Sequence, residues 1–284
     1  MTRALVTGAG GFVGQHLVAR LRADGHEVTA LTRADADLAV PGQLAEAVRR
    51  AAPEVALHLA AARSPVPRAA AAAVNATSAV ELVDALPDDC RVVLRLGSST
   101  EYAASSAPID ERTPLAPRGF FGAAKAAGSL LLTAAAAERG LRSVVLRAFQ
   151  VYGPGDKPGR FVPAVLRAAA TGEVLPLTGP GLRRDWVWVG DVVDACVRAV
   201  EADALPSGTV LNVGTGVQTA NEELVALAER VTGRRIATAA GAHPGRHWDT
   251  GDWVSDPSAA RAALGWEPAV DLAEGLRRCW EAGA

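Results

Sequence analysis

The sequence predicts an α/β protein: a doubly wound parallel sheet with a smaller C-terminal α/β lobe. Three observations carry this. Short β-branched or apolar runs alternate with Ala/Leu/Arg-rich segments of helical period through the first half of the chain. A glycine-rich loop, Gly8 to Gly14, directly follows the first of those runs. Beyond Tyr152 the texture changes, as Gly153-Pro154-Gly155, Pro158-Gly159 and Gly179-Pro180-Gly181 punctuate shorter elements.

In order, the pattern predicts a strand at Arg3 to Thr7, a helix at Phe12 to Asp24, a strand at His26 to Thr32, a helix at Gln43 to Ala52 and a strand at Val55 to Leu59. A helix near Ala69 to Leu86, a strand at Arg91 to Leu96, a helix at Gly122 to Arg139 and a strand at Ser143 to Arg147 follow. This βαβ rhythm is that of a parallel sheet covered on both faces. The alanine tracts Ala69 to Ala73 and Ala134 to Ala137 are read as helix surface, alanine being the best helix former. Residues 1–152 form the sheet domain and 153–284 mainly a second lobe, with 182–213 partly returning to the sheet. Arg184 to Val189 alternates like a half-exposed strand, and Asp191 is placed to cap the helix carrying Val192 to Val200.

Composition narrows the function. The chain has 284 residues, 49% hydrophobic and 21% charged, with a formal net charge of −2. Such a balance offers no field to gather nucleic acid or anionic lipid, and points to a small-molecule site. Cys90, Cys196 and Cys279 are odd in number and lack metal-ligand spacing, so they read as buried thiols in a reducing cytoplasm rather than disulfides or a metal site. The chain opens on a strand, with no apolar run expected to reach the membrane-spanning length of roughly 20 residues.

Strand, glycine loop and helix in that order give Gly8-Ala-Gly-Gly11-Phe12-Val13-Gly14 its meaning. Gly8 permits the tight turn, Gly11 lets the backbone approach a pyrophosphate at the helix N-terminus, and Gly14 lets the helix sit close to the sheet. This is the Rossmann signature for a nicotinamide dinucleotide. At the end of the second strand, where an acid commonly holds the ribose of NAD, stand Thr32 and Arg33. A guanidinium there favours the extra phosphate of NADP(H) over NAD(H), unless Arg33 is only a solvated surface side chain. Asp37, before Leu38, is placed to cover the adenine amino group or to remain an exposed loop carboxylate.

An ordered set of further motifs runs almost end to end. It includes His58-Leu59-Ala60-Ala61, Asn75, Gly97-Ser-Ser-Thr-Glu-Tyr102, Lys125, Arg147-Ala-Phe-Gln-Val-Tyr-Gly-Pro-Gly155, Arg184-Asp-Trp-Val-Trp-Val189, Leu211-Asn-Val-Gly-Thr-Gly216, Ser255-Asp-Pro-Ser258 and Leu264-Gly-Trp-Glu-Pro268. By these the sequence resembles the extended short-chain dehydrogenase/reductases, the group of NAD-dependent epimerases/dehydratases and nucleotide-sugar reductases. The resemblance implies hydride transfer at a hydroxyl or carbonyl carbon, usually of a sugar. It implies that Leu59, Ala60, Ala61 and Asn75 border the coenzyme, that Lys125 holds the nicotinamide ribose, and that a hydroxyl at the end of the fourth strand holds the substrate oxygen. Ser99 matches that hydroxyl best, with Ser98 next and Thr100 third. It also implies a homodimer built on the helices near Ala70 to Leu86 and Gly122 to Arg139.

The departures are as informative. Phe121 stands where the resemblance places a catalytic tyrosine, and loss of a positioned acid/base group costs about 10²- to 10⁴-fold in rate. Three explanations stand: an introduced Tyr-to-Phe change, a natural enzyme taking its proton from Lys125, Tyr102, a water or the substrate, or a protein that keeps the coenzyme and has lost the reaction. Gly119 and Phe120 also depart, standing where the group often has Ser and Pro. Gln150 stands for an asparagine that often meets substrate phosphates, and His243 for an arginine that Arg246 could replace; Arg183 and Arg184 are further phosphate candidates, Arg184 equally a tie of its strand to the lobe. His58 on an apolar strand reads as a satisfied core histidine, and Tyr102 as packing beneath the site. The sequence thus predicts an NADP(H)-preferring oxidoreductase, a reductase foremost, acting on a sugar-like substrate, nucleotide-linked or not. An epimerase or dehydratase with retained coenzyme, and a redox-silent coenzyme-binding protein, are the rivals.

Overall fold

The computed structural model describes residues 1–63, 65–243, 245 and 251–283. Along the chain come β1 (Arg3–Thr7), α1 (Phe12–Ala23), β2 (Glu27–Leu31), α2 (Gln43–Ala51), β3 (Val55–His58), α3 (Arg68–Ala72), a π-helical turn (Ala73–Thr77), α4 (Ser78–Ala85), β4 (Val92–Ser98), a 3₁₀ turn (Ser99–Glu101), α5 (Phe120–Glu138) and β5 (Arg142–Ala148). The second half adds β6 (Gln150–Tyr152), α6 (Phe161–Thr171), β7 (Leu175–Pro176), β8 (Arg183–Trp188), α7 (Val189–Glu201), β9 (Thr209–Val213), β10 (Gln218–Ala220), α8 (Asn221–Thr232), β11 (Thr238–Ala239), α9 (Ser258–Leu264) and α10 (Leu272–Glu281).

The main sheet is parallel throughout, in the order β2-β1-β3-β4-β5-β9. Every residue of β3 and β4 is buried, as expected of strands with helices on both faces. Leu57, Leu94 and Leu146 face the α1 and α7 side, while Leu5, Ala56 and Val93 face α2, α4 and α5. The chain leaves β1 outward to β2 and returns on the other side to β3. The carboxyl ends of β1 and β3 therefore part at a topological switch point, the crevice where such sheets bind ligands.

β9 joins the edge beside β5, while β6, β8 and β10 form a small sheet of their own and β7 pairs with β11. The core around Tyr152, Trp186, Val192 and Leu224 is continuous with the α1 side of the main sheet. Two expectations need correction here. Arg184 to Val189 is not half-exposed: Asp185 through Trp188 are all buried, because both faces of β8 are packed, with Trp186, Val187 and Trp188 in the core and Asp185 held by the Thr215, Gly216 and Ser255 amides. Asp191 is not a helix cap. The helix starts earlier, at Val189, and the Asp191 carboxylate instead accepts the Val270 amide at 3.1 Å while the Asp191 carbonyl accepts the Trp266 indole N–H at 2.9 Å.

The predicted helix near Ala69 to Leu86 forms, but a π-turn interrupts it at Ala73–Thr77. The 19-residue α5 is apolar and long enough, by length and composition alone, to cross a membrane, which the sequence reading had not anticipated. Here it lies along the sheet with Lys125, Ser129 and Leu132 buried.

Candidate active site

The first loop is built by close backbone approach. Gly8 has φ +69°, and a Cβ on it would lie 2.7 Å from the backbone N and Cα of Ala60, so the loops after β1 and β3 touch at the switch point. At Gly14 a Cβ would meet the Gly8 carbonyl oxygen at 2.2 Å, which seats α1 against the loop. Gly11 is the N-cap residue of α1 and offers no side-chain acceptor. The amides of Phe12, Val13 and Gly14 thus have no partner within the helix, and the positive end of its dipole adds to them. Gly10 and Gly11 are exposed, so this donor set opens outward. Such a cradle fits a pyrophosphate.

Next to it the Thr7 hydroxyl bonds His58 Nδ1 at 2.8 Å and accepts the Ala60 amide at 3.3 Å, while His58 Nε2 lies 3.1 Å from the Ser78 hydroxyl. Burial, then the Arg95 and Lys125 charges, hold His58 well below its ordinary pKa, so it is a neutral, satisfied core residue. Leu59 and Ala60 are buried and Ala61 is exposed beyond them. Asn75, inside the π-turn, grips the following residue from both sides: Oδ1 accepts the Ala62 amide at 3.1 Å and Nδ2 donates to the Ala62 carbonyl at 2.7 Å.

At the end of β2 the Thr32 amide and hydroxyl donate to the Asp35 carboxylate at 2.8 and 2.6 Å, which holds that carboxyl below its ordinary value. The sequence reading passed over Asp35; an acid three residues after a threonine was its signal. Arg33 is 76% exposed and pairs with Asp37 at 3.3 Å, and the Asp37 carboxylate also accepts the Ala39 amide. Leu38 is half-buried beside them.

Ser98 ends β4 and Ser99 opens the 3₁₀ turn. The Ser98 hydroxyl accepts the Thr100 amide at 3.2 Å and lies 2.8 Å from the Thr100 hydroxyl, with Thr100 itself exposed. The Ser99 hydroxyl accepts the Trp253 indole N–H at 2.9 Å, a contact across from the second lobe. Helix α5 is brought onto this turn at Gly122, where a Cβ would lie 2.2 Å from the Thr100 carbonyl oxygen. That approach places Phe121 and, one turn on, Lys125 beside the serines.

Lys125 is buried and donates to the Leu96 carbonyl; burial and the Arg95 guanidinium hold its ammonium well below the ordinary lysine range. Arg95 is itself fully buried on β4, donates to the Asn75 carbonyl, and is pushed down to about 10 by burial. Nearby Glu101 accepts the Ser98 amide at 2.8 Å and Arg147 Nε at 2.9 Å, a buried pair. The Tyr102 phenol donates to Asn212 at 2.8 Å and burial raises it to about 12, which removes it as a ready proton source. Phe121 is half-buried, and the Arg63 guanidinium carbon stands 4.0 Å from its ring centroid. Arg63, Arg95 and Trp253 escaped the sequence reading. A charge inside the apolar run Val92 to Leu96 was the visible sign of Arg95; Arg63 and Trp253 belong to segments remote from the residues they meet.

In the second lobe Gln150 opens β6 beside Trp186, half-buried, and the Arg184 side chain donates to the Arg183 carbonyl at 2.7 Å. His243 is exposed, with its amide on the Leu177 carbonyl, and Arg246 lies outside the described residues. Next to Arg184, Asp185 accepts from the Thr215, Gly216 and Ser255 amides and from the Thr215 and Ser255 hydroxyls. Among the described residues no cluster of His, Cys, Asp and Glu could hold a metal.

A pyrophosphate cradle at the switch point, with a buried lysine and two hydroxyls at the end of β4, defines a Rossmann-type protein of the short-chain dehydrogenase/reductase class. Known proteins agree. The NAD dependent epimerase/dehydratase family matches residues 4–214, and the chain belongs to that family. It is 35% identical over 320 residues to a UDP-glucose 4-epimerase of Mycolicibacterium smegmatis, covering 98% of this chain and 97% of the relative. Its fold is that of MoeE5 in complex with UDP-glucuronic acid and NAD, with TM-score 0.90, 30% identity and 98% of both chains covered. It is also that of RMD from Pseudomonas aeruginosa complexed with NADPH, with TM-score 0.86, 25% identity and 99% and 98% covered. Relatives of this kind bind a nicotinamide coenzyme and act as enzymes on nucleotide sugars.

Proposed function

We propose that the protein is a nicotinamide-dependent oxidoreductase, a ketoreductase foremost, acting on a carbonyl or hydroxyl carbon of a nucleotide-linked sugar. The observation that supports this is the uncapped N-terminus of α1 just after β1, together with buried Lys125, Ser98 and Ser99 at the carboxyl end of β4 in the same parallel sheet. The coenzyme, when bound, supplies or accepts a hydride. Phe12, Val13 and Gly14 offer amides to its pyrophosphate, Leu59 to Ala61 and Asn75 border it, and Lys125 holds the nicotinamide ribose. Ser99 and Ser98 hold the substrate oxygen, Ser99 through the O–H that its acceptance of the Trp253 indole N–H leaves to donate. Gln150, Arg184 and His243 hold the phosphates of the substrate from the second lobe, and Arg246, outside the described residues, is the remaining candidate for that role.

NADP(H) is the favoured coenzyme. Arg33 is tied only by an exposed pair with Asp37, a contact of small worth that a 2′-phosphate readily replaces. The exposed Leu130, Leu131 and Phe120 on α5 support a homodimer through α4 and α5, which light scattering tests. The rival reading, an epimerase or dehydratase that returns the hydride to the same substrate, is favoured by the whole-length likeness to a UDP-glucose 4-epimerase.

Calorimetry with NAD, NADH, NADP and NADPH, followed by incubation with UDP-glucose and dTDP-glucose under nicotinamide absorbance, tests the reading. Heat of binding, exchange of free coenzyme and net change in absorbance mark the reductase; product without net absorbance change marks the epimerase. No heat for any of the four, from a protein that also carries no nicotinamide nucleotide when purified, sinks both.

A further inference from the structure

Arg95 is the single charged side chain on β4, and it is fully buried. A buried guanidinium ordinarily has its donors satisfied. Here Nη2 donates to the Asn75 carbonyl, while Nε and Nη1 have no hydrogen-bond partner among the described residues. The buried Glu101 carboxylate is already committed to Arg147, the Ser129 hydroxyl and the Ser98 amide. A buried cation that no carboxylate bonds lowers stability, so its presence calls for another reason. Its surroundings supply one. Gly128 on α5 comes so close that a Cβ there would lie 2.1 Å from the Asn75 carbonyl oxygen and 2.3 Å from Arg95 Nη2, so the glycine leaves room for their bond. The accepting carbonyl belongs to the π-turn, where the regular i→i+4 ladder is interrupted. The Asn75 side chain in turn grips both backbone groups of Ala62, at 3.1 and 2.7 Å. Two residues before Ala62 is Ala60, whose backbone a Cβ on Gly8 would meet at 2.7 Å. Guanidinium, π-turn, the loop after β3 and the glycine loop are therefore joined by a continuous series of contacts.

We propose that Arg95 is a positioning residue for the coenzyme: it fixes the π-turn, so that Asn75 holds the loop after β3 in the shape the coenzyme needs. This rests on the oxidoreductase reading, in which that loop borders the coenzyme. Arg95 is fully buried and acts through the Asn75 carbonyl rather than by touching a ligand. A guanidinium suits the task because it keeps its charge when buried, and a charged donor makes a stronger bond to a carbonyl than a neutral one. The unbonded donors are what this fixed geometry leaves over, a local loss of stability retained for the sake of the site.

The test separates this role from a merely structural one, because stability and affinity should move in opposite directions. Arg95→Met removes a buried charge and the unbonded donors at Nε and Nη1 and gives up one bond, so its melting temperature should equal or exceed the parent's. Its NADPH affinity by calorimetry should nonetheless fall by about tenfold. Without coenzyme, nuclear magnetic resonance should show the Ala62 amide exchanging its hydrogen about tenfold faster than in the parent. In an Asn75→Ala background the same substitution should change NADPH affinity by less than about twofold, since the link to Ala62 is already cut. Arg95→Lys keeps a charged donor and should recover part of the lost affinity. A melting temperature and an affinity that fall together in Arg95→Met overturn the proposal, since Arg95 is then a structural residue. So do unchanged Ala62 exchange, or effects of Arg95→Met and Asn75→Ala that simply add. Absence of coenzyme binding in a parent stripped of any carried nucleotide overturns the oxidoreductase reading instead, while Ala62 exchange, read without coenzyme, still decides whether Arg95 fixes the loop.

Discussion

Replacement of Gly14 by alanine probes the coenzyme cradle most directly. A Cβ at Gly14 would lie 2.2 Å from the Gly8 carbonyl oxygen and 3.0 Å from Ala9 Cα, against an ordinary contact of 3.4–4 Å. Both neighbours are backbone, so no side chain can swing away. The helix or the loop must retreat by about 1 Å, and overpacking of this kind costs about 1–3 kcal/mol. If the retreat pulls the first-turn amides from the pyrophosphate, the same energy appears as coenzyme affinity lower by about 5- to 150-fold. The assay is calorimetric titration of NADPH and NADH into Gly14→Ala, with a thermal melt on the same sample. Gly10→Ala is the control for stability, because its Cβ would meet only the Thr32 methyl at 3.6 Å, and its melting temperature should match the parent. A Gly14→Ala protein that melts with the parent and binds coenzyme equally well refutes the reasoning from close approach.

Asp185→Ala removes the shared acceptor of three amides and two hydroxyls, so denaturant unfolding should show a loss of at least about 3 kcal/mol, with Asp185→Asn less harmed. Arg33→Ala should weaken NADPH by about tenfold or more while leaving NADH unchanged; an unaltered ratio of dissociation constants removes Arg33 from coenzyme choice. Burial holds the pKa of His58 in the folded protein well below the ordinary histidine value of about 6.5, so the ring stays neutral, whereas the unfolded chain protonates it near that value. The unfolded state then binds more protons, so His58 makes stability fall as pH drops below about 6.5, by up to about 1.4 kcal/mol per pH unit. Unfolding curves of the parent and His58→Gln between neutral and mildly acidic pH should differ in slope by that one proton, and parallel profiles would exclude the effect.

Local patterning was enough to place the strands and helices of the main sheet, because alternation and helical period are properties of neighbouring residues. Patterning also picked out the glycine loop, whereas Asn75, the serines, Lys125 and Phe121 came as candidates from the family resemblance that short motifs carry. It failed where burial overrode pattern. β8 reads as half-exposed but is packed on both faces, and Asp191 reads as a cap but is claimed by Val270, far along the chain. The Arg63–Phe121 stack, the Trp253–Ser99 bond and the Glu101–Arg147 pair join segments that no window of sequence contains together.

By itself the sequence determined the class of fold, the glycine loop between β1 and α1 and the phenylalanine at position 121, since these depend on residue type and near spacing. Only the tertiary structure decided which charges surround the reacting position and which serine hydroxyl is already engaged. Electrostatic and hydrogen-bonded neighbourhoods are set by distance in space, and chain closure brings residues 63 and 121, or 99 and 253, within contact at separations that leave no trace in periodicity.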